Sequence, residues 1–210
     1  MRSKFVWVLG LGCWLAVAVT AAEPAAGPAG SVGSQPCAAL TNATILIIRH
    51  AEKPADGPEL SPPGTSRAAA YIAYFQHLQL DGRAVTPDHL FCTADSTGSQ
   101  RPRLTLEPLS RALHLTIDSR FKNKDVAVFG QELRARPHGQ NLLICWHHGE
   151  IPELLRSLGA DPETVLPHGT WPEDVFGWMI ELRYDEAGRL QTTRCIHENL
   201  MPDDQTPSVK

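Results

Sequence analysis

Beyond residue 20 the sequence has no apolar run that could span a bilayer, which takes roughly 20 residues. It has no CxxC pair, no HxH and no HExxH, the short spacings that build zinc knuckles and metallohydrolase helices. It has no block of like charge and no basic stripe. Its 19 lysines and arginines face 23 acidic residues, a net charge of −4. Those absences argue against a metal-ligating module, a polyelectrolyte partner and a nucleic-acid surface. No internal repeat is visible, and 42% hydrophobic residues is ordinary for a globular chain.

The N-terminus has its own pattern. Arg2 and Lys4 precede the apolar stretch FVWVLGLGCWLAVAV, and small residues follow in TAAEPAAGPAG. This reads as a secretory signal peptide over 1–22, cleaved after Ala22. An uncleaved anchor is the alternative, but the run is short for a span. Cys13 sits in a poor lipobox context. Residues 23–41 begin with an Ala/Gly/Pro/Ser-rich stretch and read as a flexible linker. A domain is expected over 42–204 and a tail over 205–210. The chain is then expected to be secreted or periplasmic, with no stable membrane association after cleavage. In an oxidising compartment Cys37 and Cys195, which flank the domain, are the more plausible bridge. Cys92 and Cys145, inside apolar runs, read as small buried hydrophobes.

Apolar and helical stretches alternate along the rest. TILII (44–48), DHLFCTA (88–94) and NLLICW (141–146) read as strands. SPPGTSRAAAYIAYFQHLQ opens with two prolines suited to a first helical turn. Further helices are expected over 107–115, around Val126, Phe129 and Leu133, and over 151–159. Residues 177–197 alternate and turn at 185–188, the mark of a β-hairpin. The order predicts an α/β domain with a mostly parallel sheet and an antiparallel hairpin at one side.

In such folds ligands bind beyond the carboxyl ends of the strands. TILII runs straight into Arg49-His50. NLLICW runs into His147-His148-Gly149-Glu150. DHLFCTA leads within a few residues to Arg101 and Arg103. Guanidinium forks suit a phosphate dianion. A histidine among them can attack phosphorus. A second can share the charge of the transferring phosphoryl group, and a carboxylic acid can protonate the leaving oxygen. The arginines count against a metal ion at the same place.

These residues, in order, resemble the histidine phosphatase superfamily, also called phosphoglycerate mutase-like or acid phosphatase-like. RHAEKP (49–54) is similar to its Arg-His-Gly motif. LSPPGTSRA resembles its Leu-Ser/Thr-x-x-Gly-x-x-x-Ala helix start, and Arg101 to Thr105 its Arg-x-x-x-Thr segment. LLICWHHGE resembles its second-histidine strand. The resemblance covers about residues 42–204. It implies a three-layer α/β/α sandwich of the phosphoglycerate mutase-like fold. It also implies a phosphomonoesterase with a covalent phosphohistidine on His50 and no metal or other cofactor. Arg49 and Arg101 would clamp the phosphate. The His-Gly step and the His148-x-Glu150 spacing favour His148 as the second catalytic histidine and Glu150 as the acid. Strand length would instead allow His147, otherwise a substrate-binding neighbour. Glu150 has a plainer use as a helix cap, and Glu52 as a partner of Lys53 or Arg67. The family's usual acid after the Arg-x-x-x-Thr segment is not evident. The substrate would be a small phosphorylated molecule or a phosphoprotein, with no nucleic acid involved. The rival expectation is a catalytically weak or inactive phosphate- or phosphoester-binding module on the same fold.

Overall fold

The computed structural model describes residues 39–204. The expected signal peptide, nearly all of the linker, and the tail lie outside the described residues. The fold starts slightly earlier than expected: Leu40, assigned to the linker, is buried in the core beside Ala43.

The chain runs β1 (Thr44–Arg49), α1 (Pro62–Gln76), β2 (Gln79–Leu80), β3 (Arg83–Ala84), β4 (His89–Cys92), α2 (Arg101–Leu113) and β5 (Ile117–Asp118). It continues through α3 (Val126–Ala135), β6 (Asn141–Trp146), α4 (Ile151–Ser157), β7 (Trp178–Tyr184) and β8 (Leu190–His197). Six strands form one sheet in the order β5-β4-β6-β1-β7-β8. The first four of that order are mutually parallel, and β7 and β8 form an antiparallel hairpin at the edge. A mostly parallel sheet must be covered on both faces, because its strands are apolar on both. Here Ile45 and Ile47 of β1 face one core with α3 and α4, while Leu46 and Ile48 face the other with α1 and α2. The expected three-layer α/β/α sandwich is the observed architecture.

Local chemistry explains the helix positions. The Ser61 side chain accepts a hydrogen bond from the Gly64 amide and caps α1, with proline in its first turn. Gly64 lies against the backbone of Glu52: a Cβ there would stand 2.4 Å from the Glu52 carbonyl oxygen. The start of α1 is thereby pressed onto the chain that leaves β1. Helix α2 begins at Arg101, well before the expected 107, because Pro102 is favoured in a first turn. Leu106 and Leu109 supply its buried face.

Cys92 and Cys145 are buried free thiols, paired in register on β4 and β6. Among the described residues Cys195 has no disulfide partner. Its expected partner, Cys37, lies outside the described residues. Among the described residues, no helix is long and apolar enough to cross a membrane.

Candidate active site

The parallel register of β1 and β6 builds the centre of the site. Arg49 is paired with Trp146, so the next residues, His50 and His147, leave the sheet side by side. The His50 amide still donates to the Trp146 carbonyl at 3.0 Å. The two imidazoles meet edge-on, with ring centroids 5.0 Å apart.

His50 is almost wholly buried, and its Nδ1 lies 2.7 Å from the carbonyl oxygen of Ala51. A carbonyl only accepts, so Nδ1 carries the proton and Nε2 keeps its lone pair. Burial first, and then His147, Arg49 and Arg101, hold the His50 pKa down at about 3, although the Ala51 bond pulls the other way. Burial likewise lowers His147 to about 4, with Arg101, His148 and Arg49 adding to the effect. Both rings are neutral at neutral pH.

Arg49 is fully buried. Its Nη1 donates to the carbonyls of Pro172 (3.3 Å), Glu173 and Val175 (3.0 Å). The Phe176 ring covers the guanidinium, 3.8 Å from its carbon. Residues 171–177 thus form a strap over the arginine. The opposite edge, Nε and Nη2, has no hydrogen-bond partner in the protein. Two parallel N–H donors on one guanidinium edge match two oxygens of a phosphate. Burial lowers Arg49 to about 10, so it remains a cation at neutral pH.

Arg101 stands at the first position of α2. Its Nη1 and Nη2 donate to the carbonyls of Gly57 (2.9 Å) and Gly98 (3.2 Å), and its buried Nε is unpartnered. The Arg-x-x-x-Thr spacing has a structural reason. One turn later, Thr105 Oγ1 donates to the Arg101 carbonyl (2.8 Å) and accepts from the Ala51 amide (2.9 Å). Helix α2 is therefore pinned directly beneath the residue that follows His50.

The structure brings together Arg49, His50, Arg101 and His147. His148 opens a 3-10 turn, half-buried, with its Nδ1 unpartnered. Burial lowers its pKa, and Arg49 adds to that. His147, not the favoured His148, is the histidine packed on His50. Glu150 pairs with Lys124 and makes no side-chain cap for α4. Arg103 is held by Asp95 (2.8 Å) and by Glu107. Glu52 is the partner of Arg67, at 2.7 Å.

Some contributors were not foreseen from sequence. Phe176 and the strap carbonyls come from a proline-rich stretch with no periodicity. Thr93 Oγ1 and Asn123 Oδ1 are further buried atoms without partners near the strand ends. Among the described residues, no group of three or more His, Cys, Asp or Glu is placed to hold a metal ion.

No family model and no curated protein matches the chain. Solved structures do. The protein histidine phosphatase SixA complexed with tungstate is similar over 74% of this chain and 97% of that one, at 17% identity and a TM-score of 0.47. Phosphoglycerate mutase from Plasmodium falciparum is similar over 73% and 89%, at 16% identity and 0.48. The putative phosphohistidine phosphatase SixA from Agrobacterium tumefaciens is similar over 72% and 96%, at 19% identity and 0.45.

Proposed function

We propose that the chain is an exported phosphomonoesterase that works through a covalent phosphohistidine on His50, without a metal ion. The observation that carries this reading is the free Nε–Nη2 edge of Arg49, next to a histidine whose Nε2 lone pair is left free by its own backbone bond. In the first step Nε2 attacks phosphorus and the bond to the leaving oxygen breaks. The phosphoryl group is then on Nε2, and the leaving group departs with the bonding electrons. In the second step water attacks phosphorus and the P–N bond breaks. Its electron pair returns to Nε2, and inorganic phosphate leaves. Arg49 and Arg101 offset the charge on the phosphoryl oxygens throughout.

In this reading two roles differ from those the sequence suggested. His147, packed on His50, takes the place of second histidine, and His148 becomes a neighbour beside Arg49. Glu150 is engaged with Lys124, so the leaving group is left to take its proton from water. That favours leaving groups that are stable as anions. It is also the observation that favours the second reading, a phosphate-binding module with little or no turnover. Export rests on the N-terminal pattern alone, and the natural substrate would be a phosphorylated small molecule or phosphoprotein met outside the cytoplasm.

Hydrolysis of an aryl phosphate in the presence of chelator tests the reading. Turnover that survives chelation supports a metal-free phosphatase. Activity restored only by added metal removes that claim. Tight phosphate binding without turnover supports the binding module.

A further inference from the structure

The contacts of Arg67 close a ring around the site. Arg67 lies on the inner face of α1, 2% exposed. Its Nε donates to both Glu52 carboxylate oxygens (3.0 and 3.2 Å), and its Nη2 to one of them (2.7 Å). Its Nη1 and Nη2 also donate to the two oxygens of Asp204, at 2.9 and 2.7 Å. Asp204 is held in turn by the amides of Leu200 (2.8 Å) and Met201 (2.9 Å).

The Asp204 carboxylate also lies against Gly177, where a Cβ would stand 2.4 Å from it. Gly177 is the last residue of the strap, and its carbonyl accepts from the Glu198 amide at 2.8 Å. The strap carbonyls hold Arg49 Nη1, and Phe176 covers the same guanidinium. The ring therefore runs from Arg49 through the strap to Gly177, Asp204, Arg67 and Glu52. It returns along Ala51 and His50 to Arg49.

One carboxylate would be enough to neutralise Arg67, and Glu52 supplies it. Glu198, 3.7 Å away, is another acidic neighbour. Neutralisation therefore does not explain Asp204. What distinguishes it is its seat: its carboxylate is the group that closes on Gly177, the end of the strap. We propose that Asp204 is a positioning residue, which seats the strap through Gly177 and so sets how Arg49 presents its free edge beside His50. The inference rests on reading that edge as the phosphate clamp.

The test uses the whole chain as wild type, Asp204→Asn, Arg49→Ala and the double variant. Two quantities are read: the affinity for inorganic phosphate, by calorimetry, and the Arg49 Nε–H resonance. Asp204→Asn is expected to weaken phosphate binding roughly tenfold, the scale of one charge-assisted hydrogen bond. It is also expected to shift the Arg49 resonance. In the Arg49→Ala background the same substitution is expected to have no further effect. Additive losses in the double variant would overturn the proposal, because Asp204 would then act elsewhere. Should Asp204→Asn fail to fold, Gly177→Ala replaces it, since it displaces the same contact from the strap side and keeps the Asp204 charge. A wild type that binds no phosphate removes the clamp reading. The Arg49 resonance then decides the positioning claim alone: a shift in the variant supports it, and an unchanged resonance overturns it.

Discussion

His50 and His147 stand side by side at the ends of adjacent parallel strands, their rings 5.0 Å apart and edge-on. The in-register pairing of Arg49 with Trp146 makes this unavoidable. On the proposed reading it makes His147, of the two consecutive histidines, the one that shares the charge of the phosphoryl group. His147→Ala is expected to lower kcat about a hundredfold, the scale for removing one stabilising donor. His148→Ala is expected to cost less and to act mainly on KM through Arg49. Steady-state kinetics of the two variants, side by side, checks the assignment.

The lowered pKa values predict an unusual pH profile. A nucleophile at the ordinary histidine value of 6.5 would be mostly protonated at pH 5, whereas His50, near 3, stays neutral there. The acid limb of kcat/KM is expected between about pH 3 and 4, not near 6.5. The sign for stability follows. The unfolded chain accepts protons on this residue that the folded chain refuses. The contribution is present above about 6.5 and lost as pH falls toward 3. His50→Gln is therefore expected to retain more of its own stability than wild type between those values, as thermal melts at stepped pH would show.

Glu150 is expected to be dispensable. Glu150→Gln should keep kcat for an aryl phosphate within about tenfold of wild type, since a working general acid contributes at least about a hundredfold. A larger loss on an alkyl phosphate than on an aryl one would restore the acid role.

Glu198 carries the opposite electrostatic sign. It is buried, accepts from Tyr71 at 3.0 Å, and burial pushes its pKa up to about 8 despite Arg67. The unfolded carboxyl, near 4.5, ionises first as pH rises. Stability on its account is full below 4.5 and declines as pH rises toward 8. Glu198→Gln keeps an acceptor for Tyr71 and has no charge to bury. Its melting temperature relative to wild type is expected to climb across that window, and a difference independent of pH would contradict this.

Much of the fold was legible because its signals are local. The apolar runs, Pro62-Pro63, and the apolar spacing of Val126, Phe129 and Leu133 each place an element by themselves. The Asp81-Gly82 hairpin between β2 and β3 carries an equally local signal, a two-residue turn with both residues at positive φ. The site was legible where strand ends deliver it: Arg49, His50, and the Arg101–Thr105 spacing. The choice between His147 and His148 was not, because it depends on register between strands nearly a hundred residues apart. The strap was not either. It contributes backbone carbonyls, which any sequence has, and Asp204 reaches it only through tertiary contact.

The most direct measurement is a rapid-quench experiment on the wild-type chain with an aryl phosphate, read by peptide mass spectrometry under alkaline conditions that preserve phosphoramidates. The account predicts one phosphoryl group on His50, destroyed by acid, formed as fast as the aryl alcohol is released, and absent in His50→Ala. Turnover with no such adduct, or with undiminished release in His50→Ala, would contradict it.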